Sequence, residues 1–430
     1  MPKPRILLSM RAGFAKNDIT PGPELSLLGY DFRGKNLLPG NDGPLDSLYV
    51  RAIALANNTK EAGPAVLLLS FDLALLEDSL VRKLRSEISR ATAIPETRIH
   101  LCCTHTHSAP LPRLSSSDEY SEEDPQSLRD FLPQEEENNS AAYLRLVIHS
   151  AVQAAQQALG LLIPVEVFSH QSLTGLGYNR RIHNGSHNQP DLCWNQEEFP
   201  HLQPQPSPDP WLSLLILRPV GGGSPFLLWG TGIHPVTLGK TSRMVSADWP
   251  GQTCRLLEEP WQTERIAFFQ GASGEVHPWL ATGDNPRQVE WMAQAMAAQI
   301  HLLGQTARPW YRSSKTPLWE QQDRSWPLTG DHPIPLSLLR IGPFYCPLLP
   351  LELFASLSAT LRRQWPVPIM PITLANGWHA YWPDQEAFAQ GGYEVEVALR
   401  QGRHPGDGEK LLQILDQMHQ KFPSTTKEAP

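Results

Sequence analysis

The sequence has no apolar run long enough to cross a bilayer. Its longest runs, such as Ala65–Phe71 and Leu212–Leu217, fall far short of the about 20 residues that a membrane-spanning helix needs. Residues 1–10 have a basic start but only a short apolar core, which predicts that there is no signal peptide. We therefore expect no transmembrane segment.

Cysteine is scarce. The five cysteines stand at positions 102, 103, 193, 254 and 346, two of them adjacent, and no Cys-x-x-Cys pair occurs. An odd count without paired spacing argues against a disulfide framework and against a cysteine-zinc site. It predicts reduced thiols in a cytoplasmic protein.

Positive charge is also limited, and no basic stripe occurs along the chain. The formal net charge is -8. The segment 118–137 alone holds nine acidic residues and one arginine, so its own net charge equals that of the whole chain. This distribution makes nucleic acid an unfavourable partner. The acidic segment is interpreted most simply as a solvated surface loop; a lid over a site, or a lure for a cationic substrate, is the alternative.

What the sequence does contain is enough apolar material for a large core. The chain has 430 residues, of which 40% are hydrophobic and 19% charged, with 41 prolines that predict many irregular connections. We expect one large domain or two closely packed ones. We place the main domain at 1–405 and a C-terminal helix with a polar tail at 406–430.

The order of elements predicts an α/β fold. Strands at 65–71 and 98–104 flank an amphipathic helix at 78–91, which makes a βαβ unit with parallel strands. Asp72 and His105 then follow neighbouring carboxyl ends, where open α/β sheets place their ligands. Further strands and helices, including a hairpin at 212–218 and 226–233 and a helix at 352–363, give a mixed sheet with flanking helices.

Two histidines, His105 and His107, follow the strand at 98–104 in Thr-His-Thr-His-Ser-Ala-Pro. In extended backbone alternate side chains point to the same side, so both rings are expected to face one way. Neutral imidazole is the commonest metal ligand and the usual general base near neutral pH. A pair of hydrogen-bonded loop histidines is the simpler alternative.

Several familiar catalytic motifs are absent. The sequence has no His-Glu-x-x-His and no Walker loop, and 271–275 is not a nucleophile elbow because its fifth residue is Glu. Singly, each remaining polar candidate has a structural explanation, such as a core histidine or a carboxylate at a helix start. The scattered candidates are His105, His107, His234, Glu275, His277, Glu352 and Tyr381.

Taken together, the motifs resemble the neutral/alkaline (non-lysosomal) ceramidases and their short bacterial relatives. They run in family order from residue 11 to about 395, and the ordered series is far more specific than any single string. The strings are Ala12–Pro21, Gly29–Tyr30, Thr104–Pro110, Asn179–Arg181, His234–Gly239, Ser246–Gly251, Gly274–Pro278, Leu349–Phe354, Leu374–Trp378 and Gly392–Glu394.

The resemblance implies a ceramidase-like catalytic domain with a zinc site. By position, the metal ligands are His105, His234, Glu352 and Tyr381. Two imidazoles, a carboxylate and a phenolic oxygen make a mixed N/O site that suits zinc, although iron or manganese fits a similar set. Zinc lowers the pKa of bound water to roughly 7 and polarises the carbonyl under attack.

Three further residues are implied as catalytic. His107 and Arg180 correspond to substrate-orienting groups, suited to stabilising an oxyanion or protonating a leaving amine. His277 stands where the family's ceramidases carry a serine, so a serine-dependent route is not available there. A base, a proton shuttle and a residue that reshapes the pocket remain open as its roles.

The main hypothesis is a zinc-dependent hydrolase that cleaves a linear amide, an N-acyl group on an amine, by metal-activated water. Its substrate is a small molecule or an N-acyl lipid that need not be a sphingolipid. An ester or lactam hydrolase with the same metal, and a non-catalytic metal-binding protein, are the alternatives. The oligomeric state is left open.

Overall fold

Short apolar runs separated by proline and glycine form the strands of the molecule. The computed structural model describes residues 10–30, 40–57, 65–114, 137–182, 189–195, 201, 203–310, 319–326 and 333–422. In chain order the strands are β1 Met10–Asp18, β2 Tyr49–Ala56, β3 Val66–Phe71, β4 Ile99–Cys103, β5 Ile163–Leu173, β6 Gly177–Asn179, β7 Arg181–Ile182, β8 Asp191–Leu192, β9 Gln205–Pro206, β10 Trp211–Pro219, β11 Phe226–Thr231, β12 Ile266–Gln270, β13 Val276–Pro278, β14 Arg308–Pro309, β15 Trp319–Trp326, β16 Ile334–Ile341, β17 Phe344–Leu349, β18 Glu352–Leu353, β19 Ile372–Thr373 and β20 Tyr381–Trp382.

The helices alternate with these strands in the first two thirds of the chain and dominate its end. They are α1 Asp78–Thr92, α2 Glu137–Gly160, α3 Asp248–Trp261, α4 Arg287–Gln305, α5 Ala355–Gln364, α6 Gln385–Gln390, α7 Tyr393–Arg400 and α8 Asp407–His419, with a 3₁₀ turn at Glu96–Arg98. None of the helices in the described ranges has both the length and the apolar composition to span a bilayer.

A large mixed sheet forms the centre of the fold. Its strands lie in the order β12-β11-β10-β5-β1-β2-β3-β4, with β14 paired to β5. Most neighbours are antiparallel, but β3 pairs with β4, and β11 with β12, in parallel. The predicted βαβ unit β3-α1-β4 is therefore confirmed, and β11-α3-β12 is a second one at the other end of the sheet.

The two ends of this sheet approach each other. The Ser70 hydroxyl, on β3, donates to the Phe268 carbonyl, on β12, over 2.7 Å. Both parallel pairs thus lie side by side, and the chain segments that follow their carboxyl ends meet in one place. This closure positions the candidate site.

Alternate residues of the sheet face two different layers, as pleated strands require. On β3 and β11, odd-numbered residues such as Leu69 and Trp229 pack against α1 to α4. Even-numbered residues such as Leu68 and Leu228 pack against a second sheet of order β15-β16-β17-β19. Because both faces are covered, every residue of β3 is buried.

The second sheet is covered in turn by the last helices. Leu336 and Leu338 of β16 share a hydrophobic cluster with Leu357 of α5 and Leu411 of α8. The layers therefore follow the order helices, large sheet, second sheet, helices. The predicted α/β class with a mixed sheet and flanking helices is confirmed; the division at 405/406 stays a prediction.

The structure corrects one predicted element. The helix expected at 352–363 begins at Ala355, because 352–353 form β18 and pair with β20. Of the acidic stretch 118–137, only Glu137 lies in the described residues, as the first residue of α2. All five cysteines are free and buried.

Candidate metal centre

Three strand ends deliver the predicted site residues to one region. His105 and His107 follow β4, and His234 is the third residue after the end of β11. Residues 271–277 follow β12. Since the two parallel pairs lie side by side, segments that are far apart in sequence converge above the carboxyl ends of the strands.

His105 and His107 do converge, but not through extended backbone. His105 has a φ of 71°, in the left-handed region that non-glycine residues rarely adopt. Its Nε2 nevertheless lies 3.4 Å from the Nε2 of His107. The two rings therefore face one way, as expected. The cause is a sharp turn at His105 and not the alternation of side chains along extended backbone. Left-handed residues of this kind cluster at functional sites.

Backbone carbonyls fix the orientation of two imidazoles. His105 Nδ1 donates to the Ala74 carbonyl over 2.7 Å, and His234 Nδ1 donates to the Val276 carbonyl over 3.1 Å. A carbonyl oxygen only accepts, so in the neutral ring the proton lies on Nδ1 and the lone pair on Nε2. Both Nε2 atoms face the centre of the site.

Glu352 faces these two nitrogens. Its Oε2 lies 3.3 Å from Nε2 of His105 and 3.2 Å from Nε2 of His234, while Trp378 Nε1 donates to Oε1 over 3.0 Å. Burial opposes ionisation of Glu352, but the positive charge and N–H hydrogen bonds that His105 and His234 offer when protonated hold the pKa of this carboxyl well below its usual range. The group is therefore a carboxylate at neutral pH.

This arrangement fits a bound cation. Burial lowers the pKa of His234 to about 4, so its ring is neutral and its Nε2 lone pair points at a carboxylate oxygen. Two acceptors at this distance repel unless a positive charge lies between them. The ligand nitrogens of His105, His107 and His234 also lie within 4.8 Å of one another. Imidazole and carboxylate are the donor types that zinc takes.

Tyr381, the fourth predicted ligand, lies beside Glu352. Strands β18 and β20 pair in parallel with Glu352 opposite Tyr381, and both residues are buried. Burial raises the pKa of Tyr381 well above its usual value, and the Glu352 carboxylate adds to this, while Arg180 acts in the opposite direction. Tyr381 is therefore a neutral phenol that lies beside Glu352.

Arg180 lies next to Tyr381 in a buried ionic cluster. Its Nε donates to Glu394 Oε1 over 2.7 Å, and Arg181 Nη1 donates to Glu394 Oε2 over 2.7 Å. The Arg180 guanidinium carbon lies 5.7 Å from the centre of the Tyr381 ring. The Glu394 carboxylate thus pairs with both guanidiniums, so the cluster of Arg180, Arg181 and Glu394 has a net charge of one positive unit.

Asp72, expected near the ligands, has a supporting position instead. Its Oδ2 accepts from Arg51 Nη1 over 2.7 Å and from the Tyr49 amide over 2.9 Å. The backbone beside it holds the histidine turn, since the His105 amide donates to the Leu73 carbonyl over 2.9 Å. Asp72 therefore anchors the strand ends and does not face the centre.

Sequence reasoning assigned no role to Glu394 or Trp378. The first holds Arg180 and Arg181, and the second donates to Glu352. Both lie in strings that carry the family resemblance, 392–394 and 374–378. Those strings were the only sequence feature that could have pointed to a role for either residue. His107, predicted as a substrate-orienting group, also has a ring nitrogen within the group suited to a metal.

Gly29 supports His107, which leads to a first prediction. Gly29 has a φ of +128°, and a Cβ added there would lie 2.5 Å from Cβ of His107. We expect Gly29→Ala to displace His107 and to lower the free energy of unfolding by about 1–3 kcal/mol, the usual cost of overpacking. Urea unfolding measures the loss, and zinc competition with a chelator reports the displaced ring.

The matched control is Gly43→Ala. Gly43 also has a left-handed φ, +91°, but a Cβ there would meet nothing within 4 Å. It therefore isolates the backbone cost from the contact with His107. Equal losses of stability, with equal zinc affinity in the two variants, would contradict the role given to the Gly29 contact.

Comparisons with known proteins bear on the fold. No protein-family profile and no curated protein matches the sequence itself. The crystal structure of neutral ceramidase from Pseudomonas aeruginosa matches with a TM-score of 0.72 and 14% identity, over 98% of this chain and 76% of that chain. A structure of ceramidase complexed with C2 matches with a TM-score of 0.74 and 15% identity, over 98% and 77%. The chain therefore has the fold of these ceramidases, and the resemblance inferred from its motifs is confirmed at that level.

Proposed function

We propose that this protein is a zinc-dependent hydrolase that cleaves an amide bond between an acyl group and an amine. The observation that supports it most is the meeting of His105 Nε2 and His234 Nε2 at one oxygen of Glu352, within 3.3 Å. Three segments far apart in sequence supply this set. Without a functional cation, burying such a group of mutually repelling acceptors brings the fold no advantage.

In this proposal His105, His234 and Glu352 hold the ion, with His107 and Tyr381 beside it. The ion supplies Lewis acidity and an activated water when bound. Trp378 fixes the carboxylate, and the carbonyls of Ala74 and Val276 fix the two imidazoles. Such outer partners orient ligands and tune their basicity.

Arg180 then acts on the carbonyl oxygen of the substrate. Its guanidinium is buried and held by Glu394, so it needs little reorganisation as negative charge develops. The excess positive charge of the Arg180, Arg181 and Glu394 cluster favours an oxyanion nearby. Arg180 thus orients the acyl group and stabilises the transition state.

An amine leaves only after it gains a proton. His107 is half-buried, its ring lies against Tyr30 with ring centres 5.0 Å apart, and its Nε2 lies 3.4 Å from Nε2 of His105. We assign to His107 the orientation of the leaving group and the delivery of this proton. Tyr30 is itself anchored, because its hydroxyl donates to the Leu238 carbonyl over 2.6 Å.

The two similar solved structures support an N-acyl amine as substrate, since both are ceramidases and one is complexed with C2. A small-molecule or N-acyl lipid substrate, not necessarily a sphingolipid, follows for this chain. A cytoplasmic location stays a prediction that the five free thiols support.

The test begins with the metal content of the purified protein, followed by turnover of N-acyl amines, ceramides and simple esters. We expect stoichiometric zinc and amide cleavage, both lost in His105→Ala. His149→Ala is the matched control, since His149 is exposed on α2. Turnover of esters alone would instead indicate the esterase, and zinc without any turnover would indicate a binding protein.

A further inference from the structure

We propose that His277 is a positioning residue that holds the Arg180 guanidinium, and not a base or nucleophile. The inference rests on the proposed hydrolase function and assigns a role within the same site. His277 and Arg180 are almost completely buried, at 1% and 2% exposure.

The hydrogen bonds of His277 determine its tautomer. Arg180 Nη1, which only donates, lies 2.8 Å from Nε2 of His277. Nδ1 of His277 lies 3.3 Å from the Trp194 carbonyl, which only accepts. The ring therefore carries its proton on Nδ1 and its lone pair on Nε2, and both nitrogens are engaged. Neither is left to take a proton from water or to attack an acyl carbon.

The same bond completes a cradle around Arg180. Nε binds Glu394, Nη2 donates to the Gly274 carbonyl over 2.9 Å, and Nη1 binds His277. The Trp194 ring lies 4.9 Å from the guanidinium carbon. Three of the five N–H groups are thus fixed in three directions, which sets the plane of the guanidinium. Tyr381 lies beside the guanidinium, with its ring centre 5.7 Å from the guanidinium carbon, and in the proposed function the remaining N–H groups bind the substrate.

A neutral acceptor at 277 also suits the charge of the cluster. Arg180 and Arg181 already share one carboxylate, Glu394. A carboxylate at 277 would neutralise the excess charge that stabilises an oxyanion, and a protonated imidazole would repel Arg180. Imidazole in this tautomer accepts from Arg180 without changing the net charge.

Three variants test the proposal. Gln at 277 offers an acceptor to Arg180 and a donor to Trp194, whereas Leu offers neither. We expect His277→Gln to keep kcat/KM within about 5-fold of the wild type. His277→Leu should lower it by about 10²–10³-fold, mainly in kcat, as loss of an aligned oxyanion donor does. His277→Ser, with its shorter side chain, should fall between them.

Two readouts separate positioning from acid–base or nucleophilic roles. The pH profile of kcat/KM should be the same in wild type and His277→Gln, because the ring takes no proton during turnover. An equal loss of activity in the Gln and Leu variants, or an acyl group trapped on His277, would overturn the proposal.

A measurement independent of turnover completes the test. The imidazole ¹⁵N spectrum of the wild-type protein should show a protonated Nδ1 and an unprotonated Nε2 at His277, and the opposite tautomer would overturn the proposal. Failure of the hydrolase assignment looks different, since the metal-loaded wild type would then turn over no amide while this tautomer persisted.

Discussion

Replacing Glu352 by glutamine is expected to lower zinc affinity by more than about 10²-fold. Loss of a residue that only hydrogen-bonds to a metal ligand costs about 10–100-fold, and loss of the ligand charge itself should cost more. The amide keeps the size of the side chain and an oxygen for Trp378 Nε1, but it loses the negative charge that faces His105 and His234. At free zinc below the wild-type dissociation constant, where occupancy is proportional to affinity in both proteins, amide turnover should fall by the same factor. Chelator competition and turnover measured at matched free zinc check both numbers.

Glu275→Gln is the matched control. Glu275 is also buried, but its carboxyl accepts from the Ala355 amide over 2.8 Å and the Ser356 amide over 3.2 Å, at the start of α5. Burial raises its pKa to about 8, so at neutral pH it is largely protonated and Gln removes no full negative charge there, although only one of the two backbone bonds can be kept. We expect its zinc affinity to stay near that of the wild type. Equal losses in the two variants would mean that Glu352 acts through folding and not as a ligand.

The elements that the sequence predicted correctly were those that depend on a short, local pattern of residues. Helix α1 follows from Leu80, Leu84 and Ile88 at spacing four, all of which are buried. The βαβ unit follows from that helix and the apolar runs beside it. Strand β15 was missed because its interior, Glu320–Ser325, is polar and lies at the border of the second sheet, where only its tryptophan ends are fully buried.

The site was predictable only in part. His105 and His234 were indicated by their place after strands, because carboxyl ends of parallel strands gather ligands. Glu352 and Tyr381 had no such signal: Glu352 meets the histidines, and Tyr381 lies opposite it, through β18 and β20, two-residue strands without a periodic pattern. The bond from Arg180 to Glu394 spans 214 residues of sequence. Such pairs follow from packing of the whole chain, and only the ordered family motifs pointed to them.

Glu394→Gln is expected to lower the free energy of unfolding by about 3–5 kcal/mol, the usual cost of removing one partner from a buried ion pair. Glu394 is fully buried and binds Arg180 and Arg181, each over 2.7 Å. Without its charge, two guanidiniums remain buried close together with no ion-pair partner among the residues that the structure describes. Urea unfolding at neutral pH measures the loss.

The double variant Arg181→Met with Glu394→Gln distinguishes charge from packing. It removes one positive and one negative charge, so the cluster returns to the single excess charge of the wild type. Met keeps an apolar stem beside Phe354, whose ring lies 5.6 Å from the Arg181 guanidinium carbon. We expect it to recover about 1–2 kcal/mol of the stability lost in Glu394→Gln, because one uncompensated buried charge is gone. A double variant less stable than the single one would show that the contacts of Arg181, such as its bond to the Gly391 carbonyl, outweigh its unpaired charge.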